Sequence, residues 1–301
     1  MKKVILALIL VLTLPVSVLA GTFDILNYNS IVHQGDVLMV KIAPDLKGRD
    51  IMIYAFDELY QFNNEGYAFI GVEVGREPGD YIVYLVENSE KGPVQYDFYY
   101  THIKVLAKDF GNPWYAGPLP RSSKEIRERR AKETDIKNKA YALAEAKSDF
   151  TEGHFIEPLE RIEVTDQFGT QRLYGTYNSR TKKITVQNKI SHGGVDLRAR
   201  SPLPVMAINS GKVLLVHNFS LPGTEGKMIV IDHGSGILSL YLHLSQFRIK
   251  NGDTVKKGQV IAMTGATPRG TAPHLHLMIK VHGTNVDPLM FTDNFNRYIE
   301  R

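Results

Sequence analysis

The chain has 301 residues, 43% hydrophobic and 23% charged, the make-up of a globular protein with enough apolar material for one large core or two modest ones. Its formal net charge of +4 includes Lys2 and Lys3, in a leader argued below to be removed, and a mature excess of about +2 is too small to argue for nucleic acid. No cysteine occurs anywhere, which excludes disulfides and thiol catalysis and leaves His, Asp and Glu as the ligands of any metal site.

The first twenty residues, MKKVILALILVLTLPVSVLA, join a basic start to an apolar run, Pro15 and small or β-branched residues at Val18 and Ala20. This pattern predicts a secretory signal, residues 1–20, cleaved after Ala20, with no stable membrane insertion afterwards. The apolar run lies close to the ~17-residue lower limit for a span, so an uncleaved anchor is the competing reading. No Cys follows Ala20, which argues against a lipoprotein anchor.

Residues 21–106 carry short alternating runs, DVLMVKI, DIMIYAF and DYIVYLV, broken by Gly, Pro, Asp and Asn. They predict a small N-terminal β-sandwich. Residues 107–150 contain RSSKEIRERRAKETDIKNKAYALAEAK, mixed in charge and free of Gly and Pro, which predicts a helical linker whose charges form a solvated face. From 151 to 301 the pattern returns to short strands (RIEVTD, KITVQN, GKVLLVH, GKMIVIDHG, GILSLYLHL, QVIAMTG, HLHLMIKVHG). The fold class expected is mainly β, with the C-terminal part an antiparallel β-sheet domain of typical size.

His192, His217, His233, His243, His274, His276 and His282 fall in the C-terminal stretch, whereas only His33, His102 and His154 precede it. In PHLHLMIKV, His274 and His276 are two apart on a β-rich run, so strand geometry puts both imidazoles on one face. SHGGVDLRA places His192 and Asp196 four apart with two glycines between, where a tight turn would bring imidazole and carboxylate together. Two imidazoles and a carboxylate are a standard ligand set for catalytic zinc, with the fourth position left for water. In LYLHLS, His243 is positioned to enter the same cleft as His274.

The segments HGGVDLRA, DHGSGILSLYLHLS, NGDTVKKGQVIAMTG and PHLHL, in this order, resemble the lysostaphin-type or LytM-like metallopeptidases over roughly residues 160 to 290. That resemblance implies one zinc ion held by His192, Asp196 and His276, with His243 and His274 as the catalytic pair. It also implies an exported or periplasmic endopeptidase acting on stem or cross-bridge peptides of peptidoglycan. VHQGDVLMVKI, GYAFIGVEV and GDYIVYLVE look like the immunoglobulin-like domain that precedes the peptidase in some exported members. Such a domain would either position substrate or cover the active site. A neutral His of the pair serves as general base, near its unperturbed pKa of ~6.5, and the other stabilises the oxyanion; the two roles are not assignable from sequence.

Two other functions compete: a catalytically silent wall-binding regulator on the same fold, and a zinc endopeptidase acting on glycine-rich proteins. His233 reads as a turn residue, His217 and His282 as surface or strand-end residues, and Tyr241 as packing before cleft lining. A lipoyl-type reading of NGDTVKKGQV leaves the histidines unexplained. The chain departs from the family pattern in an insertion-like SRTKKITVQNKI before His192, in SPLPV, and in Leu277 after HxH. None removes a ligand.

Overall fold

The structure, a computed structural model, describes residues 23–89, 92–118, 123–145, 148, 153–221, 223–268 and 272–299. The leader read from residues 1–20 lies outside the described residues. The fold is mainly β, as expected, with two α-helices among the described residues.

The N-terminal strands are β1 (Phe23–Ile25), β2 (Ile31–His33), β3 (Val37–Ile42), β4 (Ile51–Ala55), β5 (Glu58–Gln61), β6 (Tyr67–Gly71), β7 (Gly79–Ser89) and β8 (Gly92–Leu106). They form two sheets, β1-β3-β6 and β2-β8-β7-β4-β5. Leu38, Val40 and Ile70 of the first sheet meet Ile53, Leu85 and Ile103 of the second in one core. The intervening Val37, Met39, Tyr67 and Phe69 are also buried, in a different core shared with the C-terminal sheet. This explains why β3 and β6 read as continuous apolar runs: both faces of their sheet are covered, so no polar alternation survives. The β1-β3-β6 sheet is thus the middle layer of a stack.

Next come β9 (Trp114–Gly117) and α1 (Lys124–Tyr141). Ser123 caps the helix, its side chain accepting from Ile126 N–H at 3.2 Å. Ala140 of α1 packs with Leu215, Phe219 and Met228, and Lys137 pairs with Glu225. Most of the other charges are exposed.

The remaining strands are β10 (Val164–Asp166), β11 (Gln171–Asn178), β12 (Lys183–Ser191), β13 (Val195–Arg198), β14 (Pro204–Met206), β15 (Gly211–Asn218), β16 (Lys227–Asp232), β17 (Ile237–Leu244), β18 (Gln246–Phe247), β19 (Thr254–Val255), β20 (Val260–Met263), β21 (His274–Val281) and β22 (Thr284–Val286), followed by helix α2 (Pro288–Tyr298). The main sheet runs β10-β13-β21-β17-β16-β15-β19, with β22 also paired to β21, and two small sheets, β12-β11-β9 and β14-β20-β18, flank it.

Period-2 alternation divides the main sheet cleanly. Leu275, Leu277, Ile279 and Val281 of β21 point into the core that holds Val37, Met39, Phe69 and Phe295. His274, His276 and Met278 therefore face the other way, toward the side on which α1 packs. The N-terminal sandwich docks behind the histidine face, held also by Asn63 Nδ2 donating to Ser235 Oγ at 3.0 Å and Lys108 paired with Asp287 at 2.7 Å. What does reach the front is the segment after the sandwich, through β9.

Candidate metal centre and histidine pair

Strand β21 lies between β13 and β17, and the ladders pair His276 with Asp196 on one side and with Leu242 on the other. Directly opposed residues of an antiparallel pair carry their side chains on the same face, so Asp196 meets His276 by register alone. His192 arrives from the turn just before β13. Its backbone is tied to the neighbouring loop, His192 N–H donating to Thr170 O at 2.9 Å and Gly169 N–H to His192 O at 2.8 Å. Gly194 makes the approach feasible. A Cβ there would stand 2.2 Å from Leu277 O and 2.9 Å from His276 Nε2.

The result is a tight triad. His276 Nδ1 lies 2.7 Å from Asp196 Oδ1, and His192 Nε2 lies 3.0 Å from His276 Nδ1 and 3.3 Å from Asp196 Oδ1. The three ligand atoms are all within 4.8 Å of one another. His192 Nδ1 is 2.9 Å from the carbonyl of Gln167, which fixes Nδ1 as the protonated nitrogen and leaves Nε2 a bare lone pair. Lone pairs of two imidazoles and a carboxylate therefore converge with no donor hydrogen on the His192 side. Such a set repels itself unless a cation or proton sits among it, and two neutral imidazoles with one carboxylate suit a divalent ion. His192, Asp196 and His276 are thus a group that could hold a metal.

Electrostatics agree with this arrangement. Burial acting alone would raise the pKa of Asp196, but the adjacent His192 and His276 rings outweigh it and hold the carboxylate below its usual range. Burial lowers the pKa of His276, partly offset by Asp196. Both histidines are well enclosed, 3% and 8% exposed.

His243 and His274 stand beside the triad, their rings 4.9 Å apart, with His243 5.8 Å from His276. His243 occupies a bulge near the end of β17, where the register to β16 shifts, and has φ of +62°. A left-handed backbone is uncommon for a side-chain-bearing residue, although His, with Asn and Asp, adopts it more often than most. Its N–H donates to Glu225 O at 3.0 Å, and its Nδ1 faces Thr267 O at 2.8 Å. His274 Nδ1 faces Ala272 O at 3.0 Å. Both rings are therefore protonated on Nδ1, and both Nε2 atoms are free to accept. Burial, together with the neighbouring His276 and His274, pushes the pKa of His243 down to about 4, so it is neutral at neutral pH.

Outside this cluster, Tyr241 is fully buried, its hydroxyl accepting from Ile208 N–H at 2.9 Å and from Ser239 at 3.1 Å; it packs and does not line the cleft. His233 is likewise buried between Ser210 O and Ser239 Oγ, each at 2.7 Å. His217 lies against Phe219. His282, at the β21–β22 turn, meets Tyr60 of the sandwich with ring centroids 5.4 Å apart, so it is a junction residue. The SRTKKITVQNKI segment supplies much of the β11–β12 hairpin that leads into His192, and Leu277 is buried opposite Val195 and Tyr241. Sequence reasoning missed the carbonyls of Gln167, Thr267 and Ala272 that set the tautomers, because backbone acceptors leave no residue-type signal. It also missed Asp166 and Arg172, which stand behind the triad.

Residues 190–288 match peptidase family M23. The chain is 35% identical over 119 residues to the peptidoglycan DD-endopeptidase ShyB of Vibrio cholerae, covering 40% of this chain and 27% of that protein. It is 38% identical over 104 residues to lysostaphin of Staphylococcus staphylolyticus, covering 33% of this chain and 22% of lysostaphin. The chain thus matches about a quarter of the length of these curated relatives. A crystal structure of an M23 peptidase from Pseudomonas aeruginosa superposes with a TM-score of 0.61 at 21% identity, over 89% of this chain and 96% of that one, which extends the likeness of fold to the N-terminal sandwich. With the three-ligand group and both further histidines inside the matched stretch, residues 190–288 are a peptidase family M23 domain of the lysostaphin and LytM-like kind.

Proposed function

We propose that this protein is an exported, zinc-dependent endopeptidase that hydrolyses peptide cross-links of bacterial peptidoglycan. The observation that carries the reading is the convergence of His192 Nε2, Asp196 Oδ1 and His276 Nδ1 within 4.8 Å, beside two histidines whose Nε2 atoms are free. The names of the relatives, peptidoglycan DD-endopeptidase and lysostaphin, support a wall peptide as substrate and the cell envelope as location. Residues 21–106 are read as an immunoglobulin-like module, 107–150 as the connector and 151–301 as the catalytic module.

His192, Asp196 and His276 would hold one zinc ion, a Lewis acid that brings the pKa of coordinated water from about 16 toward about 7 and polarises the scissile carbonyl. The chain's own residues do the rest. One Nε2 of the His243 and His274 pair takes a proton from the attacking water and returns it to the leaving amine. The other side chain of the pair faces the oxygen on which charge develops. His243, neutral at neutral pH, is ready to accept a proton without first losing one.

The test is release of soluble fragments from purified peptidoglycan by the full chain, with zinc, with chelator and as His276→Ala. Peptide-cleaved fragments released only in the first condition support the proposal. Stoichiometric zinc without release, or cleavage of a glycine-rich protein in place of sacculi, would overturn it in favour of a silent wall-binding protein or a protein-directed protease.

A further inference from the structure

Behind the three ligands lies a second layer of charged side chains. Arg172, on β11, places Nη2 2.6 Å from Asp166 Oδ2 and 3.9 Å from Asp196 Oδ2. Asp166, ending β10, in turn has Oδ2 3.6 Å from His192 Nδ1. One guanidinium nitrogen therefore stands between a carboxylate that leans on the first ligand and the carboxylate that is the second.

The division of labour on Asp196 follows from this. Its Oδ1 faces the two histidines, 2.7 Å from His276 and 3.3 Å from His192, while its Oδ2 is turned toward the positive charge. Drawing one oxygen toward a cation behind the strand presents the other to the ligand group. Arg172 also neutralises Asp166, which otherwise sets a second bare carboxylate beside His192 in competition with the Gln167 carbonyl for the Nδ1 proton.

The guanidinium does not stand alone. The ring of Trp114, on β9, lies over it at 5.7 Å, within the range of a cation–π contact, and the ladder pairs Trp114 with Arg172 directly. Trp114 belongs to the connector between the two modules. Among the described residues, no metal-facing one comes from that connector, yet it covers the charge that backs the metal ligands.

We propose that Arg172 is a positioning residue for Asp196 and His192, and that Trp114 holds it there, so that the connector tunes metal affinity. The proposal rests on the reading of His192, Asp196 and His276 as the metal ligands. Outer-layer partners of this kind are typically worth about 10–100-fold in metal affinity.

The experiment measures zinc affinity of the full chain by competition with a chromophoric chelator, and the visible absorption of the cobalt-substituted protein, for Arg172→Met, Arg172→Lys, Trp114→Ala and Trp114→Phe. Arg172→Met is expected to weaken zinc by roughly 10–100-fold and to alter the cobalt spectrum, Arg172→Lys to recover part of the loss, and Trp114→Ala to weaken zinc where Trp114→Phe does not. Zinc affinity of Arg172→Met within twofold of wild type, with an unchanged cobalt spectrum, overturns the proposal alone. If Arg172→Met does not fold, equal zinc affinity in Trp114→Ala and Trp114→Phe overturns it in the same way. Stoichiometric zinc retained by His276→Ala would instead overturn the ligand assignment, and this proposal with it.

Discussion

Asp196 and His276 face each other across a single rung of the β13–β21 ladder, and that rung sets Oδ1 and Nδ1 2.7 Å apart. A slip of one residue would send Asp196 into the apolar core that holds Val195 and Leu197. The group that could hold a metal is thus brought together in part by strand pairing, and metal and fold should be linked. Saturating zinc at 1,000 times its Kd is expected to stabilise the wild type by about 4 kcal/mol and to leave His276→Ala unmoved. Equal rises in thermal midpoint for both proteins would disprove the linkage.

Gly194 is a position where sequence has little freedom. A methyl group there meets Leu277 O at 2.2 Å, a backbone atom that moves only if the β13–β21 pair opens. Gly194→Ala is expected to cost about 1–3 kcal/mol, the usual toll of overpacking, and to weaken zinc. Gly75, whose added Cβ meets nothing within 4 Å, is the control: Gly75→Ala should stay within about 0.5 kcal/mol of wild type. Denaturant unfolding of the two variants decides it, and equal midpoints would contradict the packing argument.

Much of this was legible from local pattern. Period 2 put His274 and His276 on one face, and the strand-and-turn rhythm predicted a mainly β fold with one charged helix. The rest depends on long-range pairing, which a local pattern does not encode. Nothing in TYNSRTKKITVQN says that its hairpin accepts β9 as a third strand, or that Arg172 reaches Asp166. The runs VLMV and YAFIG contained the clue that their sheet is buried on both faces, but a continuous apolar run fits several architectures until its neighbours are known. Tyr241 alternates with His243 in sequence yet points into the core, because the bulge at His243 breaks the alternation.

Acid should destabilise the metal-free protein. Burial lowers the pKa of His233 to about 4, and burial with its imidazole neighbours does the same to His243, whereas in the unfolded chain each titrates near 6.5. Between those values the unfolded state binds more protons, so stability falls as pH drops from about 6.5 to about 4, by up to roughly 1.4 kcal/mol per pH unit per histidine. Asp196 works in the opposite range: its depressed value keeps it charged throughout this window, and its contribution fades only at lower pH. Urea unfolding at pH 7, 6 and 5 in chelator should show the slope, and His233→Gln should reduce it by about one proton. A flat profile would refute the assignment.

The shared core predicts that sandwich and peptidase unfold together. Phe69 of β6 is 2% exposed and stacks on Phe295 of α2 with centroids 5.5 Å apart. Phe69→Ala should cost about 3–5 kcal/mol and shift one cooperative transition seen by every probe. Two separated transitions in calorimetry, with only the sandwich affected, would mean that the modules are independent.

His243 and His274 should separate cleanly from the metal ligands. Each ring is pinned through Nδ1 to a backbone carbonyl, which leaves only Nε2 available. Neither is among the three converging ligand atoms. His243→Ala and His274→Ala are therefore expected to retain one zinc per chain while losing about 10²–10⁴ in kcat, the usual worth of a positioned proton carrier or donor. His243 has a further constraint, since its φ of +62° favours Asn among the small polar replacements. Comparing His243→Asn with His243→Ala separates backbone strain from proton transfer. If Asn recovers thermal stability and not turnover, the imidazole itself is needed. If it recovers turnover, His243 serves to shape the bulge, and His274 alone carries the proton.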